Sequence, residues 1–254
     1  MQINQNGDGI IDSLEPLKQY KSESWGLAGT LLWCVTITII YFFIQIIISI
    51  VYIKCFNGDD NKEAMASIQH NGMAVSFALF GASVLCSLIL FYAIKLKKFS
   101  NLKDYLALNK ISLNKLKYWI LIAIMCVLMF DCINYVLGIP IVPEYFRELQ
   151  IARNNMWLLF VAAVIAAPIF EEIFFRGFLF YGLSRTYIGA IGAAVVTSTA
   201  WAGIHVQYGL YENFSIFVMG LLLCFARHKT NSILTSMLMH SSINLLAMVE
   251  MLYF

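Results

Sequence analysis

Two adjacent carboxylates and a guanidinium, Glu171-Glu172-x-x-x-Arg176, lie inside an otherwise apolar run. An ionised side chain at mid-bilayer costs roughly 3 kcal/mol or more, so residues of this type in such a run point to function or to a compensating partner. Successive helix positions are about 100° apart, so the two carboxylates diverge. Glu172 and Arg176 are i,i+4 with the acid first, the favourable order for an ion pair. That pairing leaves Glu171 without a local partner, which suits a general acid or base. His240 and Asn244 are also i,i+4, on one face of a later apolar run, and His205 lies near the end of the run between. Glutamate and histidine together can deprotonate a water. Histidine and asparagine can donate to a developing oxyanion. The set is sufficient to hydrolyse an amide without a serine or cysteine nucleophile. The competing reading is a network of helix-packing ion pairs and hydrogen bonds with no chemistry.

The elements that hold these residues follow from composition. Of 254 residues, 60% are hydrophobic and 13% charged, with mean hydropathy +0.75. Soluble proteins carry about 25% charged residues, so a soluble enzyme and a nucleic-acid binder are excluded for the chain as a whole. The apolar runs are helix-length, which predicts an all-α, polytopic transmembrane helix bundle of about seven to eight spans. The runs lie near 26–53, 73–94, 118–139 (closed by Pro140), 156–184, 188–206, 208–226 and 232–252. Glu212 and Asn213 interrupt the start of the sixth. Asp131 and Asn134, i,i+3 in the third, line the same cavity as the histidines or make a packing hydrogen bond.

Orientation follows from lysine and arginine in the connections. One side receives twelve: Lys18, Lys21, Lys95, Lys97, Lys98, Lys103, Lys110, Lys115, Lys117, Arg185, Arg227 and Lys229. The other receives four: Lys54, Lys62, Arg147 and Arg153. This puts the N terminus and the 95–117 loop in the cytoplasm. That loop is a solvated basic connection or, from Leu102, Tyr105, Leu106, Leu108 and Ile111, an amphipathic segment on an anionic leaflet. The net charge of +2 implies nothing about nucleic acid. The six cysteines lie in or at the ends of apolar runs and read as reduced, buried thiols. Residues 1–25 are polar, and the run that follows is too long for a cleavable signal, so it is read as a retained span. Residues 4–15 partly match a calcium-binding loop, with Asn4 where an aspartate belongs and no entering helix; a polar tail is the simpler reading.

Taken in order, Glu171-Glu172-x-x-x-Arg176, Trp201-x-x-x-His205 and His240-x-x-x-Asn244 resemble the three motifs of the CAAX-protease and bacteriocin-processing family (CPBP, or Abi). These are intramembrane glutamate endopeptidases and include the type II CAAX prenyl endopeptidases. The flanking Phe175-Arg176-Gly177 is similar too. The aromatic before the middle histidine is usually phenylalanine in that family; Trp201 keeps a large apolar ring and bears on pocket shape. The resemblance covers roughly residues 155–250. It implies a catalytic core at 155–254, preceded by a tail (1–25) and N-terminal helices (26–154). It implies that Glu171 activates the attacking water, that His205 assists, that His240 and Asn244 form the third motif with Asn244 stabilising the oxyanion, and that Glu172 and Arg176 support them. It implies hydrolysis without a cofactor, although two histidines and a glutamate are also a ligand set for zinc. The partners it implies are a peptide or protein substrate, lipidated or not, and the lipid bilayer of a prokaryotic cell membrane. The rival readings are a non-proteolytic immunity or binding protein on the same fold and a small proton-coupled transporter.

Overall fold

A computed structural model describes residues 23–57, 65, 68–149 and 155–253. The calcium-loop-like segment 4–15 lies outside the described residues. In chain order the helices are α1 (Gly26–Asn57), α2 (Gly72–Leu96), a single turn α3 (Leu102–Tyr105), α4 (Leu113–Leu137), a single turn α5 (Glu144–Glu148), α6 (Met156–Ser184), α7 (Gly189–Gly203), α8 (Leu210–Thr230) and α9 (Ile233–Tyr253). The protein is all-α. Six of these (α1, α2, α4, α6, α8 and α9) are long and apolar enough to cross a membrane. Their outer faces carry exposed Leu32, Ile39, Phe43, Leu88, Leu121 and Val136, surface that suits lipid rather than water.

The fifth predicted span is a correction. The helix there runs only from Gly189 to Gly203, 15 residues. At 1.5 Å per residue that is about 22 Å, short of a hydrocarbon core of about 30 Å. The predicted 118–139 run ends earlier as well. Gly138, at φ 69°, caps α4, and the amide of Ile139 reaches back to the Asn134 carbonyl at 2.9 Å. Pro140 follows the cap instead of making it.

The chain alternates between two faces of the bundle. On one face Lys97 pairs with Glu23 at 3.3 Å, the Asn109 amide reaches the Asn231 carbonyl at 2.8 Å, and the Ile233 amide donates to the Ala107 carbonyl at 3.0 Å. On the other, Tyr145 and Phe146 lie against Tyr208, and His70 lies 3.4 Å from Glu148. The 95–117 loop differs from both sequence readings. Tyr105 and Leu106 are fully buried, and the Tyr105 ring packs on Phe178 and Tyr181. The apolar side chains of this loop find the end of α6, so they plug the bundle and leave its basic residues outside. The thiol reading holds in part: Cys34, Cys86 and Cys224 are buried, Cys126 partly so, and Cys55 and Cys132 are exposed.

Helix α6 is the axis. α1 packs on α2, α7 on α8 and α4 on α9, and α6 touches both α2 and α9. Two-thirds of its central window (67%) is buried, more than in any other spanning helix. Small residues let the helices around it close on one another, because lipid supplies no hydrophobic drive for helices to associate. Gly220 on α8 is one such residue: a Cβ there would meet Ser198 Cβ at 2.9 Å and the Trp201 ring at 3.1 Å. Gly220→Ala is therefore expected to cost about 1–3 kcal/mol through overpacking and to push Trp201 off its seat. A thermal melt in detergent that matches the wild type would show that α7 and α8 are packed less closely than this.

Candidate active site

Four helices meet at the middle of α6. Glu172 and Arg176 form an ion pair at 2.9 Å with both side chains fully buried, as their i,i+4 spacing predicts. Arg176 also donates to the Gly220 carbonyl at 3.4 Å, and its guanidinium lies 4.3 Å from the centroid of the Trp201 ring. A buried pair survives desolvation only with such further contacts. The cation thus ties α6 to both α7 and α8.

His240 on α9 completes the arrangement. Its Nδ1 lies 3.0 Å from Glu172 Oε1. A carboxylate oxygen paired with a guanidinium accepts only, so Nδ1 carries the hydrogen. The other ring nitrogen, Nε2, lies 3.9 Å from Glu171 Oε2. Glu171 is not partnerless, as the local spacing suggested. The indole N–H of Trp201 donates to Glu171 Oε2 at 2.6 Å, across two helices and 30 residues of sequence. Nothing in the spacing around Glu171 signals this bond. The one trace of it in the sequence is that the aromatic residue four before His205 is the type with an N–H.

His205 follows the end of α7. Its Nδ1 lies 2.7 Å from the Trp201 carbonyl, which again only accepts, so the neutral ring presents a bare Nε2. The ring stands edge-on to Trp201 at 5.5 Å and stacks on Tyr208 at 5.9 Å. Burial pushes the Tyr208 phenol up, so it remains a hydrogen-bond donor at neutral pH. Counted from the shared 185–188 turn, Glu171 lies about 20 Å back along α6 and Trp201 about 18 Å along α7, so the two are nearly level, and His205 sits just past the end of α7.

Asn244 is placed by a defect in α6. Pro168 has no amide hydrogen and crowds the preceding turn, and α6 widens to π-helical spacing over Val161–Ala166. In that register the Ala167 amide donates to the Ala162 carbonyl. The residue that should serve Ala163 is then Pro168, which cannot. The side-chain amide of Asn244 supplies the missing donor, 2.8 Å from the Ala163 carbonyl. One of its two N–H bonds is thereby used in holding α9 to α6, and the other is left for a ligand.

Glu171, Trp201, His205, His240 and Asn244 all line one cavity of about 270 Å³. Asp131 and Asn134 line it too, so the third run contributes to the same space. Glu250, which the sequence reading passed over, faces Asp131 there. As an acid within an apolar run, it carried the same signal as the others. A second space of about 590 Å³, between α1, α2, α5 and α6, also reaches Glu171, His205 and Asn244. Glu172 and Arg176 line neither. Among the described residues, no three of His, Cys, Asp and Glu are grouped so as to hold a metal ion. The arrangement offers a carboxylate oxygen, two imidazole nitrogens and an amide around one cavity, which together can deprotonate a water and donate to an oxyanion.

Residues 153–246, which contain all three motifs, match the family described as type II CAAX prenyl endopeptidase Rce1-like. That is consistent with the CPBP resemblance, and the match covers α6–α9 but not α1–α5. No curated protein and no solved structure matches the chain. The matched family is one of membrane proteases of the CAAX type, and the apolar helices make the chain a multi-pass membrane protein.

The tie between Asn244 and Ala163 can be checked by stability. Asn244→Ala orphans a carbonyl, at a cost of about 1–3 kcal/mol. Pro168→Ala restores an N–H beside it, so Asn244→Ala should cost clearly less in that background. Melting temperatures of the two single variants and the double decide it: strictly additive losses would mean that the carbonyl does not depend on Asn244.

Proposed function

We propose that the protein is an intramembrane endopeptidase of the CAAX-protease type, a CPBP (Abi) member of a prokaryotic cell membrane with its N terminus in the cytoplasm. The observation that carries this reading is the convergence of Glu171, His205, His240 and Asn244 on one cavity within an apolar bundle. In the proposed reaction Glu171 accepts a proton from water, and His205, through its bare Nε2, holds the same water. The hydroxide oxygen bonds to the scissile carbonyl carbon. The developing oxyanion takes the free N–H of Asn244 and, with His240 as the imidazolium between the two carboxylates, the Nε2–H of that ring. The C–N bond then breaks, and the proton held on Glu171 passes to the leaving nitrogen. Glu172 and Arg176 hold His240 and Trp201 and touch no reacting atom. The proposed substrate is a peptide or protein presented at the membrane, and the mechanism needs no metal. The cytoplasmic placement rests on the basic excess on the face that carries the 95–117 loop.

Three variants compared side by side test the division of roles. Glu171→Gln keeps shape and hydrogen bonding but cannot take the proton; it should abolish cleavage and leave the melting temperature at or above the wild-type value. Glu172→Gln and Arg176→Ala each strand a buried charge, at about 3–5 kcal/mol, and should lose stability as well as activity. An active Glu171→Gln beside a folded but dead Glu172→Gln would move the base to the other carboxylate. Metal dependence is a separate test. Cleavage should survive exhaustive chelation; one tightly bound zinc per chain, with activity lost on its removal and restored on its return, would replace this mechanism with Lewis-acid catalysis.

A further inference from the structure

Trp201 is buried and touches four of the site's residues. Its N–H reaches Glu171 at 2.6 Å, its ring lies under the Arg176 guanidinium, its edge meets His240 at 5.1 Å, and its carbonyl fixes His205. The first of these contacts differs in kind from the rest. Ring packing needs only an aromatic of this size, whereas the bond to Glu171 needs a donor. Both contacts to the Glu171 carboxylate, from Trp201 Nε1 and from His240 Nε2, fall on Oε2. Among the described residues Oε1 has no hydrogen bond or ion pair, and the Glu171 side chain lines both cavities.

We propose that Trp201 is a positioning residue: its indole N–H pins Oε2 of Glu171, so that Oε1 is the oxygen turned to the cavity to take a proton from water. The inference rests on the proposed role of Glu171 and adds which atom acts and what aims it. A carboxylate on a flexible side chain otherwise rotates between its two oxygens, and each wrong orientation lowers the fraction of molecules poised to react. A charge-assisted N–H···O bond, about twice as strong as a neutral one, is sufficient to select one.

The test combines spectroscopy with kinetics on the full chain in detergent. The Trp201 indole N–H resonance is identified by its loss in Trp201→Phe or, if that variant does not fold, by replacing Trp25, Trp33, Trp119 and Trp157 with phenylalanine. It should lie downfield in the wild type, move upfield in Glu171→Gln, and move further in Glu171→Leu. Trp201→Phe keeps an aromatic ring beneath Arg176 and removes the donor together with part of the indole. It should lower kcat by tenfold or more, with KM within about twofold, a split that the lost ring area alone would not produce. A resonance indifferent to Glu171 overturns the proposal, as does a Trp201→Phe enzyme with wild-type kcat. A wild-type protein inert on every peptide tried would sink the proteolytic reading alone, and the resonance would still decide whether Trp201 holds Glu171.

Discussion

Two carboxylates on consecutive residues of a buried helix set the terms for the surrounding structure. Glu172 is cut off from water at the centre of α6, Glu171 meets it only through the cavities, and divergence along the helix lets one partner serve only one of them. Glu172 is answered from its own helix, by Arg176 at 2.9 Å. That answer creates a further need, because a buried guanidinium has five donors to place. The Gly220 carbonyl and the face of Trp201 meet part of it, which requires α7 and α8 to approach α6 closely. Glu171 is answered only from outside its helix, by Trp201 and His240. Without α7 and α9 the carboxylates have no adequate environment, and the carboxylates in turn help to fix where those helices sit, beside the tie of Asn244 to Ala163.

Pro168 works in the same direction through the backbone. Substituting proline inside a helix usually costs about 3 kcal/mol, because a hydrogen bond is lost and a carbonyl is crowded. Here the helix widens ahead of it and the freed Ala163 carbonyl is used as an acceptor for α9. A second π-helical stretch, Glu172–Leu179, begins immediately after Glu171. The two widened stretches bracket the short α-helical segment Ala167–Glu171 that ends on the glutamate. Departures from α geometry inside helices concentrate where side chains or carbonyls must point off the regular lattice, and both departures in α6 flank the cavity.

Much of this was legible in the sequence, and the limits have physical causes. The predicted 156–184 run coincides with α6, and 232–252 falls within a residue of α9, because long apolar runs report helices directly. The Glu172–Arg176 pair was legible because it is local. The partner of Glu171 was not, because no periodicity relates residue 171 to residue 201; only the fold brings them together. The run at 188–206 misled for another reason. Hydropathy records that Gly189–Gly203 and the residues after it avoid water, and it does so equally for a helix that crosses lipid and one that stops inside a bundle. The 95–117 loop shows the converse. Its apolar residues registered as an amphipathic pattern, but that pattern does not say what they face, and Tyr105 and Leu106 pack on the end of α6 rather than on lipid.

The short α7 has one more consequence for how the site is reached. A helix long enough to span would have run straight on through residues 204–208. Ending at Gly203 instead, the chain turns back through the His205 amide to the Ala202 carbonyl and the Tyr208 amide to the His205 carbonyl. The turn so formed carries His205 and Tyr208 onto the cavity wall and leaves Val206 exposed, and Tyr145 and Phe146 of α5 lie against Tyr208. Both cavities are lined by this turn and by Phe146, and both end on Glu171. The opposite face is closed by the Tyr105 plug and by the bonds that fasten Asn109 and Ala107 to the start of α9. The missing length of α7 is therefore space rather than deficit: where the chain turns at 204–208, both cavities reach Glu171.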